Sequence, residues 1–231
     1  MVYDNIEYQA CDERGASGLK VVNLVAEVDE EKCKACRTCE RVCPVLAIKV
    51  ENGKAVVNPE RCRGCAACEQ RCPDYAITMA KREEPVVGVS MNSVDYNQVI
   101  ELCLRARLHP EQIICCCTST RAEEVAAAIL LGARSPEDVS FTTGARTGCK
   151  VGCIQSILRL LGAAGIEPSP PKGGWQWYCR TPTVWDIPEK VKQRYTGRGF
   201  RFEDDIRLLE RVIAAPLQGV IVIPMRGRRK A

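Results

Sequence analysis

Two stretches decide how this chain is read: CKACRTCERVCP at residues 33–44 and CRGCAACEQRCP at residues 62–73. Each spaces its cysteines as C-x2-C-x2-C-x3-C and follows the last with proline: Cys33, Cys36, Cys39, Cys43 and Pro44, then Cys62, Cys65, Cys68, Cys72 and Pro73. The runs are offset by 29 residues, and the repeat extends past them, because Ala47-Ile48 returns as Ala76-Ile77. A disulfide framework has no use for such spacing. Three thiolates on one tight turn can cap three irons of a cubane, while the fourth cysteine, turned away by its proline, ligates the other cluster. This reading assigns Cys33, Cys36, Cys39 and Cys72 to one [4Fe–4S] cluster, and Cys62, Cys65, Cys68 and Cys43 to its twin.

Over residues 28–82 the sequence resembles the bacterial two-cluster ferredoxins. Structural zinc, which takes four ligands, has no need of crossed eight-cysteine runs. Between the runs, Ala47–Val50 and Ala55–Val57 flank Asn52-Gly53, which predicts a hairpin, in keeping with the short strands that the resemblance implies over the clusters. The departure is cationic: Lys34, Arg37 and Arg63 stand between ligands. Cations there either raise the reduction potentials or are merely solvated.

Composition supports metal. Sixteen cysteines in 231 residues are far above ordinary usage, whereas aromatics make up only 5%. The single histidine, His109, excludes multi-histidine zinc sites and HExxH proteases. No stretch is long and apolar enough for a membrane span, and the charged first thirty residues do not read as a signal peptide, so a cytoplasmic protein is expected.

A second site lies further on. Cys115-Cys116-Cys117 is followed after 31 residues by Cys149 and Cys153. The intervening sequence reads as helical: Thr120–Glu123 as a capping box, Gly132 as a stop, and Ser135-Pro136 as the start of a second helix. Ile154, Ile157, Leu158 and Leu161 mark a third, ending at Gly162. Two cysteine pairs at the ends of short helices make a C-x-C…C-x3-C set able to bind [2Fe–2S]. IICCCTSTRAEEVAAAILLGARSPED (113–138) and RTGCKVGC (146–153) are similar to the bacterioferritin-associated-ferredoxin-like domain, also found appended to flavin-dependent amine and proline dehydrogenases and to nitrite reductases. The resemblance implies Cys115, Cys117, Cys149 and Cys153 as ligands. Relatives space the last pair by two or four residues rather than three, and Cys116 can displace a neighbour. The competing reading is a helical pair with buried free thiols.

Cys103 falls in a helical pattern with Tyr96, Val99, Ile100 and Leu104 and reads as core, while Cys11 and Cys179 lack partners at ligand spacing. His109, before Pro110, reads as a capping or loop residue. The expected architecture is α+β: an N-terminal extension (1–27), a two-[4Fe–4S] ferredoxin domain (28–84), a small helical [2Fe–2S] domain (85–165) and an extended C-terminal arm (166–231). A strand is expected at Val86–Val89, a helix around 204–213 and a last strand at 219–223. Seven of the twelve aromatics crowd into residues 175–202. Broken by proline and glycine, that arm cannot build its own core; it docks on a partner, wraps over the body, or does both.

The formal charge of +4 does not imply nucleic acid. Twelve ligating thiolates against three cores of about +2 each bring the loaded protein to about −2. No G-x-G-x-x-G follows a strand, so the chain is not itself the flavin or nicotinamide site. The leading expectation is a non-catalytic iron–sulfur electron-transfer subunit of an oxidoreductase of anaerobic metabolism. It would relay single electrons between a catalytic partner, favoured as a flavoprotein by the second resemblance, and another soluble redox carrier. The alternative is a free-standing ferredoxin carrier or a redox sensor.

Overall fold

The computed structural model describes residues 20–88, 93–171 and 178–218. Its elements are mixed helices and small sheets, an α+β arrangement. Cys11, Trp175, Trp177 and the strand expected at 219–223 lie outside the described residues.

In the first unit β1 (Val21–Val28) pairs antiparallel with β4 (Ile77–Val87), from Val21 opposite Val87 to Val28 opposite Ile77. The strand expected to open at Val86 is therefore the end of β4. Between them lie the short helix α1 (Thr38–Val42) and the expected hairpin, β2 (Ile48–Glu51) and β3 (Lys54–Val57). Asn52 and Gly53 both take positive φ, 49° and 77°, as a primed two-residue turn requires. The buried core is small: Ala26, Val45, Ala47, Ile48, Ala55 and Ile77 with Cys39 and Cys62. Eight such residues bury little apolar surface for two sheets, so whatever the other cysteines enclose must supply part of the interior.

The second unit is better filled, with twenty buried residues in one cluster. Helix α2 (Tyr96–Arg105) opens on Asp95, whose carboxylate accepts the Asn97 N–H, and buries Val99, Leu102 and Cys103. Leu104, expected inside, is exposed, and Leu102 takes its place. After the small ladder of β5 (Ile113–Cys115) and β6 (Thr120–Arg121) come α3 (Ala122–Leu130), α4 (Pro136–Thr143) and α5 (Ile154–Ala163). Ala122, Ala126, Ala127 and Ala128 give α3 a small-residue surface that lets α2, α4 and α5 all approach it.

The expected capping box is shifted by one residue. Glu124, not Glu123, accepts the N–H of Arg121 (2.9 Å). Glu123 is instead bonded by the Tyr96 hydroxyl (2.7 Å), while Thr120 Oγ1 takes the Lys20 ammonium (2.7 Å). Lys20 also pairs with Glu124 (2.8 Å), tying the first unit to the second. Phe141 of α4 packs on the first unit's core, beneath the guanidinium of Arg61.

The described part of the arm wraps. A 3-10 turn (Val184–Asp186) precedes α6 (Glu189–Thr196) and α7 (Phe202–Ile213), the last reaching two residues further back than expected. Gln155 holds the Cys179 carbonyl and the Thr181 N–H, and Arg107 lies over the Trp185 ring. His109 is buried, accepting the Glu111 N–H on Nδ1 and donating from Nε2 to the Ala215 carbonyl (3.1 Å). No helix among the described residues is long and apolar enough to cross a membrane.

Candidate iron–sulfur centres

The 29-residue repeat is written into the backbone as well as the sequence. Ala35 and Gly64, Arg37 and Ala66, and Leu46 and Tyr75 are three pairs at that offset, and all six have φ between 50° and 62°. Left-handed residues within a tight loop aim successive N–H groups into a concavity suited to an anion. The Asn58 N–H bonds the Ala47 carbonyl (2.7 Å), and the Asp29 N–H bonds the Ala76 carbonyl (2.8 Å). Each bond carries the chain after one Cys-Pro back to the start of the other run. The Ala47 N–H meets Cys43 Sγ (3.2 Å), and the Ala76 N–H meets Cys72 Sγ (3.3 Å).

The thiols follow this crossing. Cys43 is held above its ordinary pKa by burial, and the neighbouring thiol that acts on it is Cys62. Burial pushes Cys68 up to about 12, reinforced by Cys65, Cys43 and Cys62. Cys43 thus stands with the second run rather than its own. Cys39, raised to about 11 by burial, feels Cys36 and Cys33, and Asp74, two residues beyond Cys72, faces Cys36.

The later quartet gathers as two pairs. Cys153 donates its S–H to Cys115, which with Thr118 Oγ1 (3.2 Å) lowers the Cys115 pKa to about 5; the same bond raises Cys153. Cys117 and Cys149 meet side chain to side chain, the Cys149 N–H reaching Cys117 Sγ (3.4 Å), and Cys115 acts on both. Gly148 admits this approach: a Cβ there would lie 2.9 Å from Cys117 Sγ. Cys115 and Cys153 are buried, Cys117 and Cys149 exposed. Cys116 is exposed, and the contacts that gather the quartet run through Cys115 and Cys117.

Buried cations stand beside both sets. Among the described residues, the buried side-chain nitrogens without a hydrogen-bond partner are Arg63 Nε and Arg146 Nε and Nη2. Arg63 is 6% exposed, lowered to about 10 first by burial and then by Arg82, and it acts on Cys62 and Cys65. Arg146 is fully buried, reaches Glu137 (3.2 Å), and acts on Cys153. Among the described residues Arg63 has no carboxylate partner, and a buried guanidinium without one is costly unless negative charge stands nearby, which thiolates holding iron supply; Arg146, paired with Glu137, still leaves Nε and Nη2 unmatched. The donor sets therefore fit clusters. Lys150, adjoining Cys149, is half-buried against Cys65, Cys43 and Cys68 of the first unit.

Of the three cations expected between ligands, Lys34 and Arg37 are exposed, Arg37 pairing with Glu40 (3.2 Å), and only Arg63 is enclosed. Cys103 is core, as its pattern suggested, and Cys179 is exposed. Sequence reasoning missed Arg146, Glu137 and Lys150. The clue was that Arg146 and Lys150 lie within RTGCKVGC itself. All fifteen cysteines among the described residues are free.

Comparison with known families matches two segments of the chain. Residues 26–73 match the 4Fe-4S dicluster domain, and residues 113–163 match the BFD-like [2Fe-2S] binding domain. No curated protein and no solved structure matches the chain. The cofactors are two [4Fe–4S] clusters and one [2Fe–2S] cluster.

Proposed function

We propose that this chain, a 4Fe-4S dicluster domain followed by a BFD-like [2Fe-2S] binding domain, is the electron-transfer subunit of a larger oxidoreductase whose catalytic partner is a flavoprotein. Cys33, Cys36, Cys39 and Cys72 hold one cubane, Cys62, Cys65, Cys68 and Cys43 the other, and Cys115, Cys117, Cys149 and Cys153 the [2Fe–2S] centre. When bound, such clusters take up and release one electron at a time.

The observation that carries the reading is the approach of the two units: Cys65 lines one cavity with Thr118, whose hydroxyl bonds Cys115 Sγ, and Lys150 beside Cys149 feels the thiols of Cys65, Cys43 and Cys68. The Cys62 quartet thereby adjoins the later quartet, so these two centres are neighbours rather than separate stores. A partner surface is supported by α7, which buries none of its residues and exposes Leu208, Leu209 and Val212. The test is isolation under native, anaerobic conditions. A flavoprotein is expected to accompany the chain, with about ten irons per chain. A lone monomer would overturn the subunit reading in favour of a free carrier or sensor.

A further inference from the structure

Beyond the cysteines, four arginines surround one cleft of about 700 Å³ between the end of α2, the outer face of α5 and the arm. They are Arg105, Arg107, Arg159 and Arg180, and the carboxylate lining the same cleft is Asp186. Three of the guanidinium groups are placed by different contacts. Arg159 donates to the carbonyls of Ala106 (2.6 Å) and Arg107 (2.9 Å). Arg107, at a positive φ of 54°, lies 4.7 Å from the Trp185 ring centre. Arg180 rests against α5 where Gly162 leaves room for it, since a Cβ on Gly162 would meet its guanidinium.

Asp186 offsets one of these four charges, its carboxylate acting on both Arg107 and Arg159, and leaves the cleft cationic. Its Oδ2 is taken by the N–H (2.7 Å) and hydroxyl (2.6 Å) of Thr183. Arg159 bears the repulsion: burial first, and Arg107 next, hold it below its ordinary pKa. Part of the arrangement is explained locally, because Arg159 caps the carbonyl end of α2. That does not account for Arg107 and Arg180 being seated on the same space.

We propose that this cleft binds a small organic phosphate through its diphosphate group. Guanidinium forks match phosphate oxygens pairwise, and the volume lies within the range of small-molecule sites. Arg159 lies six residues along α5 from Cys153, about 9 Å at helical rise, so such a ligand would sit on the same helix as that cysteine but further from its N-terminal end. The inference is independent of the electron-transfer reading.

The test is calorimetric titration of the cluster-loaded chain with inorganic pyrophosphate and, separately, with ADP. Saturable binding of at least one probe is expected, weakened about tenfold by Arg180→Ala. Arg207→Ala, an exposed residue paired with Asp204 on α7, should leave it unchanged. Arg105→Ala serves as a second cleft variant, and unchanged iron content confirms that each variant folds. Tighter binding of ADP than of pyrophosphate assigns the organic portion as well; equal affinity assigns the diphosphate alone. Absence of binding by both probes, or equal weakening by Arg207→Ala, would overturn the proposal.

Discussion

The two cysteine runs share spacing, left-handed positions and crossing hydrogen bonds, yet they occupy opposite environments. The Cys33 run faces outward: Lys34, Cys36 and Arg37 are all exposed. The Cys62 run is enclosed: Arg63 is buried near Phe141, and Cys65 faces Thr118 and Thr147 of the second unit across one cavity. Local sequence thus dictates how a run folds around its centre, whereas the surroundings, set by residues eighty positions away, decide what that centre adjoins. On the proposed reading, two copies of one motif serve different places along a single path.

That comparison can be broken at several points. The largest effects come from the ligands. Cys43→Ser should cost the cubane of the Cys62 run while sparing that of its own run, and Cys72→Ser should do the reverse. Paramagnetic resonance of the reduced protein reads both, and loss confined to the mutated run would refute the crossing. Cys149→Ser should abolish the [2Fe–2S] signal and reduce iron from about ten to about eight per chain; retention of the signal would remove Cys149 from the set.

Smaller effects sharpen the contrast of environments. Gly64→Ala puts a Cβ 2.6 Å from the Leu24 carbonyl at a φ of +59°, so thermal unfolding should show a loss of about 2 kcal/mol. Its counterpart Ala35→Gly should change stability by about 1 kcal/mol or less. Arg63→Gln should lower the potential of the adjacent cubane by about 60 mV, a tenfold change in a one-electron equilibrium. Arg37→Gln should shift the outer cubane by clearly less, because water screens that charge. Redox titration followed by resonance distinguishes the two. Cys116→Ser should leave every signal in place.

Much of this was legible beforehand because it is encoded locally. The runs, the Asn52-Gly53 turn, the Ser135-Pro136 start and the amphipathic stripe of α5 each depend on residues a few positions apart. What escaped reading depends on distant partners. Glu123 abandons the capping role its position suggests because Tyr96 competes for it, and Glu124 takes over. Arg63 and Arg146 look like surface cations until packing encloses them. The arm's folding back depends on Gln155, Arg107 and His109, none of which has a periodic signature. Composition could say that the arm needed another surface to lie on, but not that the surface belonged to the same chain.

The adjacency of the Cys62 quartet and the later quartet is the claim on which the path depends, and pulsed magnetic resonance of the fully reduced protein tests it directly. Cys36→Ser removes the outer cubane and Cys65→Ser the enclosed one. The [2Fe–2S] signal should keep its spin–spin broadening in Cys36→Ser and lose it in Cys65→Ser. Broadening that survives Cys65→Ser and vanishes in Cys36→Ser would contradict the account.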